Sequence, residues 1–167
     1  MIKNFDKKTV NFENYDSKRH IYLLKRYYDS KMKLREDSKS ALSNEEESEL
    51  MSYDIYLEKQ TSWRMRDWFE SLFQDFFNQK IDNEEFIDRV FGLRRTLLNE
   101  TIRFQSDLVL GRLETFRGEP NAKNLSKLLS YLYYTCDTWE DFEDRTEEEF
   151  AEFVEKGFLM YQEILNS

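Results

Sequence analysis

At 167 residues the chain has room for one domain with a hydrophobic core, or one domain and a helical arm. Apolar residues make up 40% of it and charged residues 35%, which excludes both a membrane-spanning composition and a disordered acidic tail. The net charge of −9 is uneven: residues 1–40 hold 11 Lys/Arg against 6 Asp/Glu, whereas residues 41–167 hold 14 against 28. An acidic body of that kind repels nucleic acid and attracts basic surfaces, and the basic segment is suited to RNA or an acidic partner.

Turn material is scarce, with 4 Gly and 1 Pro. A many-stranded sheet needs more, so an all-α fold is expected. The aromatic content of 16% suits thick seams between packed helices. The first helix is expected from about Asp16 to Glu36, with Ile21, Leu24, Tyr28 and Met32 on its apolar face. Residues 37–44 then read as a connector ending in a capping box, Ser43 with Glu46. A long helix follows to about Gln79, striped by Leu50, Tyr53, Leu57, Thr61, Met65, Trp68, Leu72 and Phe76. Any bend or break in it is expected at the Thr-Ser-Trp segment near Thr61.

Asp82 and Glu85 form the next capping box, opening a helix striped by Phe86, Val90, Leu93, Leu97, Phe104 and Leu108 that ends around Gly111. Residues 111–123 hold two glycines and the proline and must reverse the chain. A further helix carries Leu125, Leu128, Leu129, Leu132 and Cys136. Thr146 and Glu149 cap the last one, striped by Phe150, Val154, Gly157, Tyr161 and Ile164. The expected architecture is an antiparallel four-helix-type bundle, residues 43–167, with an additional basic N-terminal helical arm, residues 1–42.

The chemistry-bearing residues are few. Carboxylate-bridged metal bundles need a Glu-x-x-His pair from two helices, and His20, the only histidine, has Ser17 three residues before it. His20 reads as a partly exposed helix residue. Cys136 lies on an apolar stripe and reads as a small buried hydrophobe, unable to form an internal disulfide and suited to a reducing compartment. Glycines at 92, 111, 118 and 157 cannot make a phosphate loop. No catalysis, no metal and no cofactor are therefore expected, although carboxylate-only acid–base chemistry stays open. No apolar run reaches the roughly 18 residues of a membrane span, and the N-terminus lacks a secretory signal, so a cytoplasmic or organelle-interior location is expected.

Two segments stand out. Trp68, Phe69, Leu72, Phe73, Phe76 and Phe77 occupy two adjacent stripes, as in a helix packed on two sides within a core, or as in a partner-binding or self-association patch. From Asp137 to Glu149 the chain holds eight acidic residues against Arg145 alone. Glu147, Glu148 and Glu149 suit a helix N-terminus. Asp137, Glu140 and Asp141 instead follow a helix C-terminus, where negative charge is disfavoured, and a cationic partner would account for them.

Residues 67–95, with a short Asn-Gln-Lys-Ile-Asp turn leading into Glu-Glu-Phe, and residues 128–165, with Cys-Asp-x-Trp and an acidic stretch leading into a second Glu-Glu-Phe, resemble the colicin D immunity protein-like family of small acidic helical bundles. The resemblance covers about residues 65–167. It implies bacteriocin immunity: a toxin inhibitor whose carboxylates replace the phosphates of transfer RNA in a basic nuclease active site. By position, the implied partner-binding residues are Asp137, Trp139, Glu140, Asp141, Glu143 and Asp144. The alternative is a non-catalytic helical subunit of a larger protein assembly, docked through the N-terminal arm and the aromatic face.

Overall fold

Most helix starts among the described residues are written in side chains that accept from the free N–H groups of a first turn. Asp16 Oδ1 accepts from the amides of Lys18 and Arg19, at 3.0 and 3.1 Å, and opens α1 (Ser17–Lys33). Ser43 and Glu46 form the expected reciprocal box before α2 (Asn44–Arg64). After α3 (Arg66–Phe77), Asp82 accepts from the amide of Glu85 at 2.9 Å at the head of α4 (Asn83–Val109). Following α5 (Ala122–Asp137), Thr146 and Glu149 complete a capping box on α6 (Glu147–Asn166). This computed structural model describes residues 9–33, 41–113, 116, 118–139, 141 and 145–167, and all regular structure among them is helical.

Two helices end in the same way. In α3 the amide of Lys80 bonds the carbonyl of Asp75 at 2.9 Å and the amide of Gln79 bonds that of Phe76 at 3.0 Å. In α4 the amides of Arg112 and Gly111 bond the carbonyls of Asp107 and Leu108, at 2.9 and 3.1 Å. Both are Schellman motifs, and each is clasped by an ion pair between the same two motif positions, Lys80–Asp75 at 3.3 Å and Arg112–Asp107 at 3.1 Å. The motif needs a left-handed residue. Gly111 supplies it with φ 72°, but Gln79 does so with φ 55° and a Cβ in the way. Gln79→Gly is therefore expected to raise stability by about 0.5–1 kcal/mol, the left-handed strain outweighing glycine's extra chain entropy. A lowered urea midpoint for that variant would contradict this reading.

The chain divides into two compact units, one of residues 1–58 and 101–118, the other of 59–100 and 119–167. Residues 43–58 and 101–118 of the expected bundle thus share a unit with α1.

In the second unit, α3, the first part of α4, α5 and α6 enclose a core built on Phe69, Phe73, Phe86, Val90, Leu93, Leu128, Leu132, Phe150, Val154 and Tyr161. Ring pairs show the helix directions. Phe69 meets Tyr161 at 6.3 Å while Phe76 meets Phe150 at 5.7 Å, so α3 and α6 run antiparallel. Gly157 lets α6 approach its neighbours closely, since a Cβ there would stand 3.0 Å from Leu132 Cδ2 and 3.4 Å from Phe73. Gln60 fixes the approach to α5, its side chain accepting from the amide of Glu119 at 2.7 Å and donating to that residue's carbonyl at 2.9 Å.

The first unit has its own core. Leu23 and Leu24 of α1 are buried with Val10, Leu42, Leu50, Tyr53 and Tyr56, and Leu57, Phe104 and Leu108 form a second cluster. α1, in the expected arm, thus contributes Leu23 and Leu24 to this core. Of the expected apolar face of α1, Leu24 is buried but Tyr28 is exposed, and Leu23, not expected there, is buried as well. His20 shares the buried face and is itself fully buried, at 0% exposure, rather than partly exposed. A sequence stripe sought among apolar residues passes over it.

The expected long helix breaks at one residue, Met65, between α2 and α3, next to the Thr-Ser-Trp segment. Its amide is shared between the carbonyls of Thr61 and Ser62, both at 3.1 Å. Leu57 of α2 and Phe73 of α3 are both fully buried, each in its own unit. Tyr161 Oη donates to the carbonyl of Arg66 at 3.1 Å just past the break, holding α3 to α6. The connector 37–44 and the arm are described only in part, residues 1–8 and 34–40 lying outside the described residues.

Candidate functional site

The acidic segment begins where α5 ends. Thr138 closes the helix, its amide and its Oγ1 both donating to the carbonyl of Tyr134, at 3.1 and 3.0 Å. Turns then follow in sequence, Trp139 N–H to Cys136 at 3.2 Å and Asp141 N–H to Thr138 at 3.3 Å. These turns drive Trp139 inward. Its ring meets Phe150 edge-on at 4.8 Å and lies over Phe153 at 6.1 Å, and the Arg145 guanidinium sits 4.5 Å from its centroid. Trp139 is a half-buried peg joining the α5 end to α6, not a free aromatic contact.

Inward packing of Trp139 leaves its acidic neighbours outside. Asp137 and Asp141 are exposed, as are Glu147, Glu148 and Glu149 of the first turn of α6. Among the described residues Asp137, Asp141, Glu147 and Glu148 enter no ion pair. Of the other expected site residues, Glu140, Glu143 and Asp144 lie outside the described residues. Tyr134, one turn before Asp137 and 70% exposed, is a neighbour that pattern reading misses, because an aromatic between Leu132 and Cys136 looks like core. Its signal was available: it stands three residues before Asp137, on the helix face away from the leucines.

Charge is partitioned between the two units. The second carries eleven Lys/Arg against twenty Asp/Glu, the first fourteen of each, so the whole net charge belongs to the second. In the first unit the basic residues of α1 meet acids of α2: Arg19 pairs with Glu49 at 2.7 Å and Arg26 with Glu46 at 2.6 Å. The Glu49 hydrogen bond raises the pKa of Arg19, and bonding from Ser43 and Arg26 lowers that of Glu46.

Among the described residues, the surroundings of His20 resemble catalytic machinery. Tyr15 Oη lies 3.2 Å from its Nδ1, Asp54 Oδ1 lies 3.3 Å from its Nε2, and the Tyr53 ring stacks on it at 4.9 Å. Gln105 Nε2 donates to the same Asp54 oxygen at 2.7 Å. Both ring nitrogens of the imidazole thus have a hydrogen-bond partner. Burial raises the pKa of Tyr15. A fully buried ring offers no substrate access, and the network serves to tie α1 to α2 and α4.

Cys136 is buried in the second core, as expected, and burial pushes its thiol up to about 12. Ellman's reagent is expected to leave it untouched in the native protein and to titrate one thiol per chain in denaturant. Rapid stoichiometric labelling of the native protein would show an open α5–α6 seam. No group of three or more His, Cys, Asp or Glu side chains is arranged to hold a metal ion among the described residues. No helix there is long and apolar enough to cross a membrane. Neither protein-family models nor curated proteins nor solved structures match the chain.

Proposed function

We propose that the protein is a non-catalytic, immunity-like inhibitor that blocks a basic, transfer-RNA-cleaving toxin nuclease by setting carboxylates where the substrate's phosphates bind. The observation that carries this reading is the gathering of the whole net charge in one unit, with Asp137 and Asp141 exposed and outside any ion pair among the described residues. Uncompensated carboxylates beyond a helix C-terminus oppose the helix dipole and repel one another, so they detract from the stability of the free protein. A basic groove reverses the sign of both effects. Trp139, pegged into α6, would hold the start of the segment in place for such a partner, and Glu140, Glu143 and Asp144 would extend the acidic surface.

The test begins with the protein as bait and mass spectrometry of what it retains, followed by transfer-RNA cleavage assays on any nuclease recovered. Stoichiometric loss of cleavage, weakening as salt rises, is the expected result. Recovery at fixed stoichiometry with a multi-subunit assembly, and no effect on cleavage, would replace this reading with that of a structural subunit.

A further inference from the structure

We propose that the exposed face of α5 is a self-association surface, on which a second copy of the chain docks antiparallel about a two-fold axis passing at Ser130. The exposed residues of α5 are Lys123, Lys127, Ser130, Tyr134 and Asp137, and no others. Their spacings of four, three, four and three keep them in one stripe along the helix, the repeat that lets two helices stay in contact over several turns. The stripe is self-complementary. Lys123 and Asp137 each lie seven residues from Ser130, about 10.5 Å along the axis, so a two-fold at Ser130 sets Lys123 against Asp137 of the second copy, twice over. Lys127 falls beside Tyr134 of the second copy, within reach of a cation–π contact.

The centre of the stripe suits close approach. Ser130 is small, and its Oγ already donates to the carbonyl of Ser126 at 3.1 Å, so packing over it strands no donor. The ends of the helix supply the electrostatic argument. α5 has no acidic residue in its first turn and no basic residue in its last, and Asn121 gives no side-chain cap. Lys123 near its N-terminus and Asp137 at its C-terminus reinforce the helix dipole, an arrangement disfavoured in an isolated helix. An antiparallel second copy brings each pole against its opposite, with both lysines and both aspartates compensated by one contact.

One helix from each copy makes a small interface, below the standard size, so the dimer is reversible with Kd on the order of 10–100 μM. Asp137 also belongs to the carboxylates assigned above to a basic partner, so a partner and a second copy exclude each other there. Self-association itself does not rest on that assignment.

Sedimentation of the full chain at rising concentration, up to about 500 μM, reads the equilibrium directly. The expected result is a monomer–dimer transition that weakens with salt. Lys123→Asp and Asp137→Lys should each weaken it about tenfold, because two-fold symmetry makes every substitution act at two contacts. The two together should restore it, with circular dichroism of all variants unchanged. A monomer across the whole range, a dimer indifferent to the single reversals, or no recovery in the folded double variant would each overturn the proposal.

Discussion

Truncating Phe73 to alanine is expected to destabilise the second unit by about 3–5 kcal/mol, the cost of removing a large side chain from a core that cannot collapse around the gap. Phe73 is 0% exposed and lies between three helices, its ring 6.3 Å from Phe86, 5.6 Å from Phe158 and 6.0 Å from Tyr161. A Cβ added at Gly157 of α6 would stand 3.4 Å from its ring. Four residues along the same helix, Phe77 is 45% exposed and keeps only edge contacts with Phe76 and Phe158. Phe77→Ala should cost under about 1 kcal/mol. The contrast decides whether the aromatic segment is core or docking face. Trp63, Trp68 and Trp139 all belong to the second unit, so tryptophan fluorescence during urea unfolding follows that unit. Equal losses at 73 and 77 would mean that the exposed edge is covered in solution.

Replacing Asp137, Glu140 and Asp141 together with Asn, Gln and Asn is expected to weaken binding to a basic nuclease partner by several kcal/mol, at roughly 2–5 for each carboxylate buried against Arg or Lys. The effect on the free protein should be near zero or slightly favourable. Asp137 and Asp141 are exposed and form no ion pair among the described residues, and their removal relieves repulsion at a helix C-terminus. The salt slope of the association rate should flatten in the variant, because fewer charges steer the encounter. Unchanged affinity and slope would move the interface off this segment. Loss of binding on truncation of Trp139 would be a poor substitute as evidence, since Trp139 packs on Phe150 and Phe153 and its removal disturbs the α5–α6 junction itself.

The acidic segment illustrates how far residue patterns reach into a site. Its charge is a matter of composition, and the conflict between Asp137 and a helix C-terminus follows from the helix boundary alone. Whether an aromatic within it faces solvent or core depends on what lies across the seam. Trp139 turns in because Phe150 and Phe153 of α6 stand where it packs, whereas Tyr134 on α5 is 70% exposed.

By itself the sequence determined the helical class, the starts of α2, α4 and α6, and the turn ending α4 at Gly111. Those features are local: a capping side chain, a short apolar period and a left-handed glycine act within a few residues. The tertiary structure decided the rest. It split one long apolar stripe at Met65, with Leu57 buried in one core and Phe73 in another. It also buried His20, the polar residue that the pattern placed near solvent, because Tyr15 and Asp54, five and thirty-four residues away, converge on both ring nitrogens and remove the cost of taking it out of water.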